Sequence, residues 1–217
     1  MEIVAYLEAL ARRLRAPLPG LAAQLKMVPE PRPGTRTWEE AEPTCLKAGI
    51  LVLLYPRRGR LYLLLTRRTE LVLHHRGQIS LPGGTRHEGE PLEATAFRET
   101  AEELGIPLDG VRVLGCLTPL YIPPSNFCVY PTVAFLPEAP ECFRPQPDEV
   151  AEVIEAPLGA LLDPSAAKRE TWVFEGRTML VPYYGLGEYK VWGATAMVLA
   201  ELICLLGDVL PGAKESI

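Results

Sequence analysis

The sequence predicts an α/β fold in which a mixed β-sheet lies between helices. Three observations lead there. Apolar runs of strand length stand on both sides of one short helix, a long apolar helix closes the chain, and a helix with one apolar stripe opens it. Sheets and helices arranged in this order bury both sheet faces.

The elements follow in turn. Residues 2–16 place Ile3, Leu7, Leu10, Ala11 and Leu14 on one stripe, with Arg12, Arg13 and Arg15 largely outside it. Pro17 and Pro19 stop that helix. It reads as a lid on the core, ahead of a contact within a homodimer. Pro29 to Gly34 is an extended linker, so residues 1–44 form a helix and Pro-rich linker, and residues 45–217 the main domain. Ala48–Tyr55 and Leu61–Thr66 are buried strands joined by a hairpin through Pro-Arg-Arg-Gly-Arg. Gln78–Leu81 is a short strand ending at Pro82-Gly83-Gly84, and a helix runs from about Leu92 to Leu104, with Gly105 placed to cap it. Val111–Leu117 and Val129–Phe135 are strands separated by a loop, Thr118–Cys128. Val150–Ala156 is another strand, and Pro157 opens a short helix. Thr171–Glu175 and Met179–Val181 form a hairpin about Gly176, and the last helix runs from about Trp192 to Leu206.

At 217 residues, 48% hydrophobic and 23% charged, the chain reads as one globular domain with an appendage, long enough to bury a core without staples. A net charge of −5 argues against a nucleic-acid partner. It does not exclude phosphates, since a metal and local arginines can supply a positive field. Five cysteines (45, 116, 128, 142 and 204) are odd in number and lack Cys-x-x-Cys spacing. They read as reduced, mostly buried thiols rather than a disulfide framework or zinc site. No apolar run has the length of a membrane span, the N-terminus has the wrong charge order for a secretory signal, and Glu-Ser-Ile is no peroxisomal address. The expectation is a cytoplasmic protein with no membrane partner.

The chemistry lies in the helix near residue 100. Glu99, Glu102 and Glu103 stand at i, i+3 and i+4 and share one face, where like charges cost about 0.2–0.5 kcal/mol per pair. A divalent cation with oxygen ligands would compensate. Most such runs are a solvated face, but here the wider spacing is specific. Gly84, five residues, Glu90, seven residues, Arg98-Glu99, two residues, Glu102-Glu103, one residue, Gly105 and then apolar Ile106 form one string. Chance produces it about once in a million chains at a usage of roughly 7% per residue type.

That string resembles the Nudix box, with Thr100 where an apolar residue is preferred. The resemblance implies an α/β/α sandwich with a mixed β-sheet, the box as a loop–helix–loop, and pyrophosphate hydrolysis dependent on Mg2+ or Mn2+. It makes Glu99 and Glu103 the first metal ligands and Glu102 the third, joined by the Gly83 carbonyl. Arg98 becomes a guanidinium bracing the carboxylates, Glu90 a loop-holding residue, and Gly84 and Gly105 structural glycines. The general base stays open between Glu102 and a later glutamate, with Glu149 favoured over Glu152.

Just upstream, Leu64-Leu-Thr66-Arg67-Arg68-Thr69, eight residues and Gly77-Gln78-Ile-Ser-Leu-Pro-Gly-Gly84 resemble the segment preceding the box in coenzyme A pyrophosphatases. The resemblance places Thr66, Arg68, His75, Gly77 and Gln78 on a substrate-recognition segment. Arg68 suits the phosphates of coenzyme A, with Arg67 and Arg76 in reserve. Thr69, Leu73 and Leu81 depart from the pattern, Leu73 where an arginine is expected. Segments at Pro147–Val153, Ala156–Leu158 and Trp192–Ala196 also look like the family's, so the likeness spans about residues 47–206. The implied reaction splits the coenzyme A diphosphate into adenosine 3′,5′-bisphosphate and 4′-phosphopantetheine. The alternatives are another Nudix pyrophosphatase, acting on ADP-ribose, NADH or a dinucleoside polyphosphate, and a non-catalytic nucleotide sensor, against which the intact box argues. Adjacent His74 and His75 read as loop residues rather than zinc ligands. Trp192, Tyr183 and Tyr184 read as core ahead of an adenine-stacking role.

Overall fold

The first long apolar run becomes strand β1 (Leu46–Arg57), whose side chains alternate between two covered faces. The computed structural model describes residues 2–31, 36–70, 77–174 and 176–209. In chain order, helices α1 (Glu2–Leu14), α2 (Leu21–Gln24) and α3 (Trp38–Ala41) precede β1 and β2 (Arg60–Arg68). Then come β3 (Ile79–Ser80), β4 (Gly83–Thr85), α4 (Leu92–Leu104), β5 (Arg112–Cys116), β6 (Leu120–Ile122) and β7 (Phe127–Phe135). The chain continues through β8 (Val150–Pro157), α5 (Leu158–Leu162), β9 (Ala167–Phe174), β10 (Arg177–Leu186), β11 (Tyr189–Trp192) and α6 (Gly193–Val209).

Val52 and Leu54 of β1 join Leu61, Leu63 and Leu65 of β2 in a core shared with α1 and α6. Leu51, Leu53 and Tyr55 face the other way, with Leu64, Ala96 and Leu104, onto α4. Burial on both faces explains why these strands read as continuous apolar runs. The result is the sheet between helix layers that the sequence predicts.

The hairpin places the site. Strands β1 and β2 pair from Leu54↔Leu63 to Arg57↔Arg60, and Arg58 (φ 52°) and Gly59 (φ 76°) form the two-residue left-handed turn. Beyond Leu54 and Leu63 the strands part. The β1 prong pairs with β4 at Ala48–Ile50, and the β2 prong pairs with β3 at Thr66–Arg67. Residues 79–85 therefore lie as a wedge in a fork, with the Leu51 N–H donating to the Pro82 carbonyl at 2.8 Å. On its other edge β1 runs parallel to β7, from Leu46↔Phe127 to Leu54↔Phe135, which makes the sheet mixed. Strands β5 and β6 pair with β7, and β8 pairs with β2. A second, antiparallel sheet has the order β11-β10-β9.

Several expectations need correction. Cys45 and Cys128 form a disulfide, and Cys116 and Cys142 are exposed, so the cysteines are not all reduced and mostly buried. The parallel β1–β7 ladder brings together two cysteines 83 residues apart, a separation that leaves no spacing signal. The loop Thr118–Cys128 contains β6 and a 3₁₀ turn at Pro123–Ser125. Within the Pro29–Gly34 linker, Glu30 pairs with Leu180 by two backbone hydrogen bonds of 2.9 Å. Trp192 ends β11 instead of starting the last helix. The reading of the first helix as a lid needs no correction: Leu7 and Leu10, with Met27, are buried in the same core as Val52 and Leu199.

Candidate active site

Helix α4 lies directly on β1. A Cβ at Gly49 would stand 2.2 Å from the Leu92 carbonyl oxygen and 2.8 Å from the Ala96 nitrogen, so only glycine permits this approach. Thr100, the polar departure in the box, is fully buried there and donates to the Ala96 carbonyl at 2.7 Å, which satisfies its hydroxyl within the helix. Gly105 ends the helix in a left-handed cap at φ 60°.

This placement brings two carboxylates to one turn. Glu103, 4% exposed, accepts from the Gly83 N–H at 3.2 Å. A Cβ on Gly84 would stand 2.3 Å from Glu99 Oε2, so the Glu99 carboxylate occupies the space that a side chain would fill. Both therefore meet the Gly83–Gly84 turn at the β1 prong.

Arg98 joins the rest of the box. Its guanidinium donates to both Glu90 oxygens at 2.9 and 3.0 Å, to Glu99 Oε1 at 2.9 Å, to Glu102 Oε2 at 3.1 Å and to the Thr85 carbonyl at 3.2 Å. Glu90 also accepts from the His87 N–H at 3.1 Å and the Thr95 hydroxyl at 2.8 Å. The Arg98 guanidinium is the main force holding the Glu90 carboxyl down, to about 2. Thr95, fully buried at the start of α4, is a latch residue the sequence reading missed. Its one signal is a polar residue where the helix packs on β1.

Burial pushes the Glu103 carboxyl up to about 7. The Gly83 N–H and the Arg68 charge oppose that rise, while the charges of Glu149 and Glu99 add to it. Arg68, Glu149 and Glu99 therefore all lie in the electrostatic neighbourhood of Glu103. A bulge in the β2–β8 ladder sits between Arg67 and Arg68, and bulges re-aim side chains.

The later glutamates divide. Glu152 pairs with Arg67 Nε at 2.9 Å and accepts from the Tyr189 hydroxyl at 2.5 Å, and these two partners hold its carboxyl below the usual range. Glu149 instead reaches Glu103 with its charge. Its backbone carbonyl accepts from the Thr69 N–H at 3.0 Å, and the Thr69 hydroxyl donates to the Asp148 carbonyl at 3.0 Å, so a departure from the family pattern anchors this loop.

The recognition segment is only partly presented. Thr66 is 2% exposed, and its hydroxyl lies 3.0 Å from that of Ser80, so it links β2 to β3 inside the sheet. Arg67 is engaged by Glu152. Gln78 is half-buried, and its carbonyl accepts from the Arg68 N–H at 3.0 Å. His75, with Leu73, His74 and Arg76, lies outside the described residues.

Among the described residues, no three His, Cys, Asp or Glu side chains stand close enough together to hold a metal ion as they lie. Glu99 and Glu102 are turned onto Arg98. The donor chemistry nevertheless fits a hard divalent cation: carboxylates from one helix face meet a glycine turn that no Cβ obstructs. No helix among the described residues is long and apolar enough to cross a membrane.

A sequence profile of the NUDIX domain matches residues 46–177. The chain is 36% identical over 141 residues to an uncharacterised Nudix hydrolase, NudL, of Photorhabdus laumondii subsp. laumondii, covering 64% of this chain and 74% of that protein. It is 35% identical over 176 residues to the mitochondrial coenzyme A diphosphatase NUDT8 of Homo sapiens, covering 80% of this chain and 69% of that protein. Among solved structures, a MutT/nudix family protein from Enterococcus faecalis matches with a TM-score of 0.49 at 20% identity, over 84% of this chain and 67% of that one. With the box assembled on the Gly83–Gly84 turn and the profile spanning most of the domain, the chain belongs to the Nudix hydrolase family.

Proposed function

We propose that this Nudix hydrolase cleaves the diphosphate of coenzyme A or its derivatives, releasing adenosine 3′,5′-bisphosphate and 4′-phosphopantetheine. The likeness to the human coenzyme A diphosphatase over four-fifths of the chain carries the substrate reading. Arg68, which lies beside the bulge and whose charge reaches Glu103, supports it as a guanidinium for a phosphate oxygen.

In this reading Glu99, Glu103, Glu102 and the Gly83 carbonyl hold Mg2+ or Mn2+. The cation would neutralise diphosphate oxygens and lower the pKa of an attacking water. Arg98 keeps the carboxylates on one face of α4, and the Thr69 anchor keeps the Glu149 loop against the box. Glu149 takes the proton of the attacking water as general base, since Glu152 is committed to Arg67 and Tyr189.

Purified protein with Mg2+ or Mn2+ is assayed against coenzyme A, ADP-ribose, NADH and diadenosine polyphosphates. Coenzyme A turned over fastest, with the two named products, supports the proposal. Much faster turnover of ADP-ribose leaves the family intact and removes the substrate assignment. We also place the protein in the cytoplasm. The Cys45–Cys128 bond argues the other way, because thiols stay reduced there. Fractionating cells that make the protein decides: recovery with the cytosolic fraction supports the placement, and recovery elsewhere counts against it.

A further inference from the structure

The chain between β7 and β8 contains Arg144-Pro145-Gln146-Pro147-Asp148-Glu149. Proline has no backbone N–H and holds the residue before it in extended geometry. Arg144 and Gln146 are therefore set extended, and theirs are the only backbone N–H groups among residues 144–147. On an extended chain, N–H groups two residues apart point the same way. Both donate to the end of the box helix: the Arg144 N–H to the Leu104 carbonyl at 2.7 Å, and the Gln146 N–H to the Glu103 carbonyl at 2.8 Å. Those carbonyls belong to the last turn of α4, where a helix offers no partner of its own. Phe143, one residue earlier, packs against the cluster that holds Leu104 and Ile106.

Gly105 makes room for this strap. A Cβ there would stand 2.7 Å from the Arg144 Cβ and 2.8 Å from the Arg144 carbonyl oxygen. The last glycine of the box thus does more than form a left-handed cap: it lets a second stretch of chain pass against the helix end.

Beyond the strap the chain turns at once. The Gln146 carbonyl accepts from the Glu149 N–H at 3.1 Å and from the Val150 N–H at 2.8 Å. Pro147 takes the second position of that turn, where proline is favoured. Thr69 holds the far side, through the carbonyls of Asp148 and Glu149. The Glu149 backbone is therefore held at its N–H by Gln146 and at its carbonyl by Thr69. One residue, Gln146, bridges the backbones of Glu103 and Glu149. Its side chain is exposed, so its peptide groups make the link.

We propose that the strap of residues 144–147 is a positioning device for the hydrolysis, in which the Gln146 backbone fixes where Glu149 stands relative to Glu103. The strap does no chemistry; it removes the cost of ordering the loop that carries the proton acceptor. The inference rests on the proposed role of Glu149 as general base.

Two substitutions at one position test it. Gln146→Pro deletes the N–H and keeps an extended backbone, whereas Gln146→Ala keeps the N–H. Gln146→Pro should lower kcat about tenfold to a hundredfold with KM within about twofold, the effect of slightly misplacing a reacting group. Gln146→Ala should keep the wild-type kcat. In a Glu149→Gln background, Gln146→Pro should cost nothing further, because both changes act through one carboxylate. Unchanged kcat in Gln146→Pro, an equal loss in Gln146→Ala, or a full additional loss in the Glu149→Gln background overturns the strap while the base assignment stands. Normal kcat in Glu149→Gln alone overturns the base assignment and the strap with it, so the two failures are distinguishable. Amide hydrogen exchange of the metal-free wild-type protein supplies a test that needs no variant to fold. The Arg144, Gln146 and Glu149 amides should exchange on the order of a hundredfold or more slower than in a free peptide, and exchange at the free-peptide rate overturns the strap.

Discussion

Glu103 accepts a hydrogen bond from the Gly83 N–H at 3.2 Å from a position where burial pushes its carboxyl up to about 7. A metal ion held there competes with a proton. Apparent Mn2+ affinity should therefore rise about tenfold per pH unit below 7 and level off above it. The sign for stability is opposite. A carboxyl raised in the folded state favours the metal-free fold below about 4.5, and that contribution is lost as pH rises through about 7. Calorimetric Mn2+ titrations from pH 5.5 to 8 check the first statement, and a flat profile would remove Glu103 from the ligand set.

Glu90 behaves the other way. With its carboxyl held down to about 2, its contribution is complete above about 4.5 and is lost as pH falls toward 2, where the unfolded chain takes up the proton first. Glu90→Gln should flatten the dependence of denaturation midpoint on pH in that window. Urea melts at several pH values measure it.

The two later glutamates should separate in kinetics. Glu149→Gln is expected to lower kcat by about 10²–10⁴ with the melting temperature unchanged, the range for losing a general base. Glu152→Gln should keep kcat within a few-fold, since its carboxylate serves Arg67 and Tyr189. Near-normal kcat in both variants would return the base to the box.

Glu201 on α6 is fully buried and accepts four hydrogen bonds: the Gly20 N–H at 3.0 Å, Gln24 Nε2 at 3.1 Å, and the Thr118 N–H and hydroxyl at 3.1 and 2.7 Å. Glu201→Ala leaves those donors without an acceptor and should cost about 3–5 kcal/mol, the range for breaking a buried polar network. Chemical denaturation checks this, and a loss below 1 kcal/mol would mean that water replaces the carboxylate.

Local patterns were legible and long-range pairings were not. The span Leu92–Leu104 and its Gly105 cap could be read because helix period and capping are local. The buried runs of β1 and β2 could be read because both faces are covered. Strands β4 and β11 were hidden, since a three-residue glycine turn and a strand of four residues become strands only through partners far along the chain. The disulfide was hidden for the same reason. In the site, spacing identified the box carboxylates. Glu149 was already favoured over Glu152 in the sequence, but the partner that occupies Glu152, Tyr189, lies 37 residues beyond it and left no local signal. Thr66 lay on the resembling segment, yet its hydroxyl turned to Ser80 because β3 folds back beside it.

The fork between β1 and β2 works as a pair of calipers. One jaw, at Ala48–Ile50, grips the turn that meets Glu99 and Glu103; the other carries Arg68 past its pairing with β3. The hinge is the last rung, Leu54↔Leu63. Extending the ladder by a rung would close the jaws and drive out the wedge, so the gauge between guanidinium and carboxylates is set at leucines that never meet a substrate.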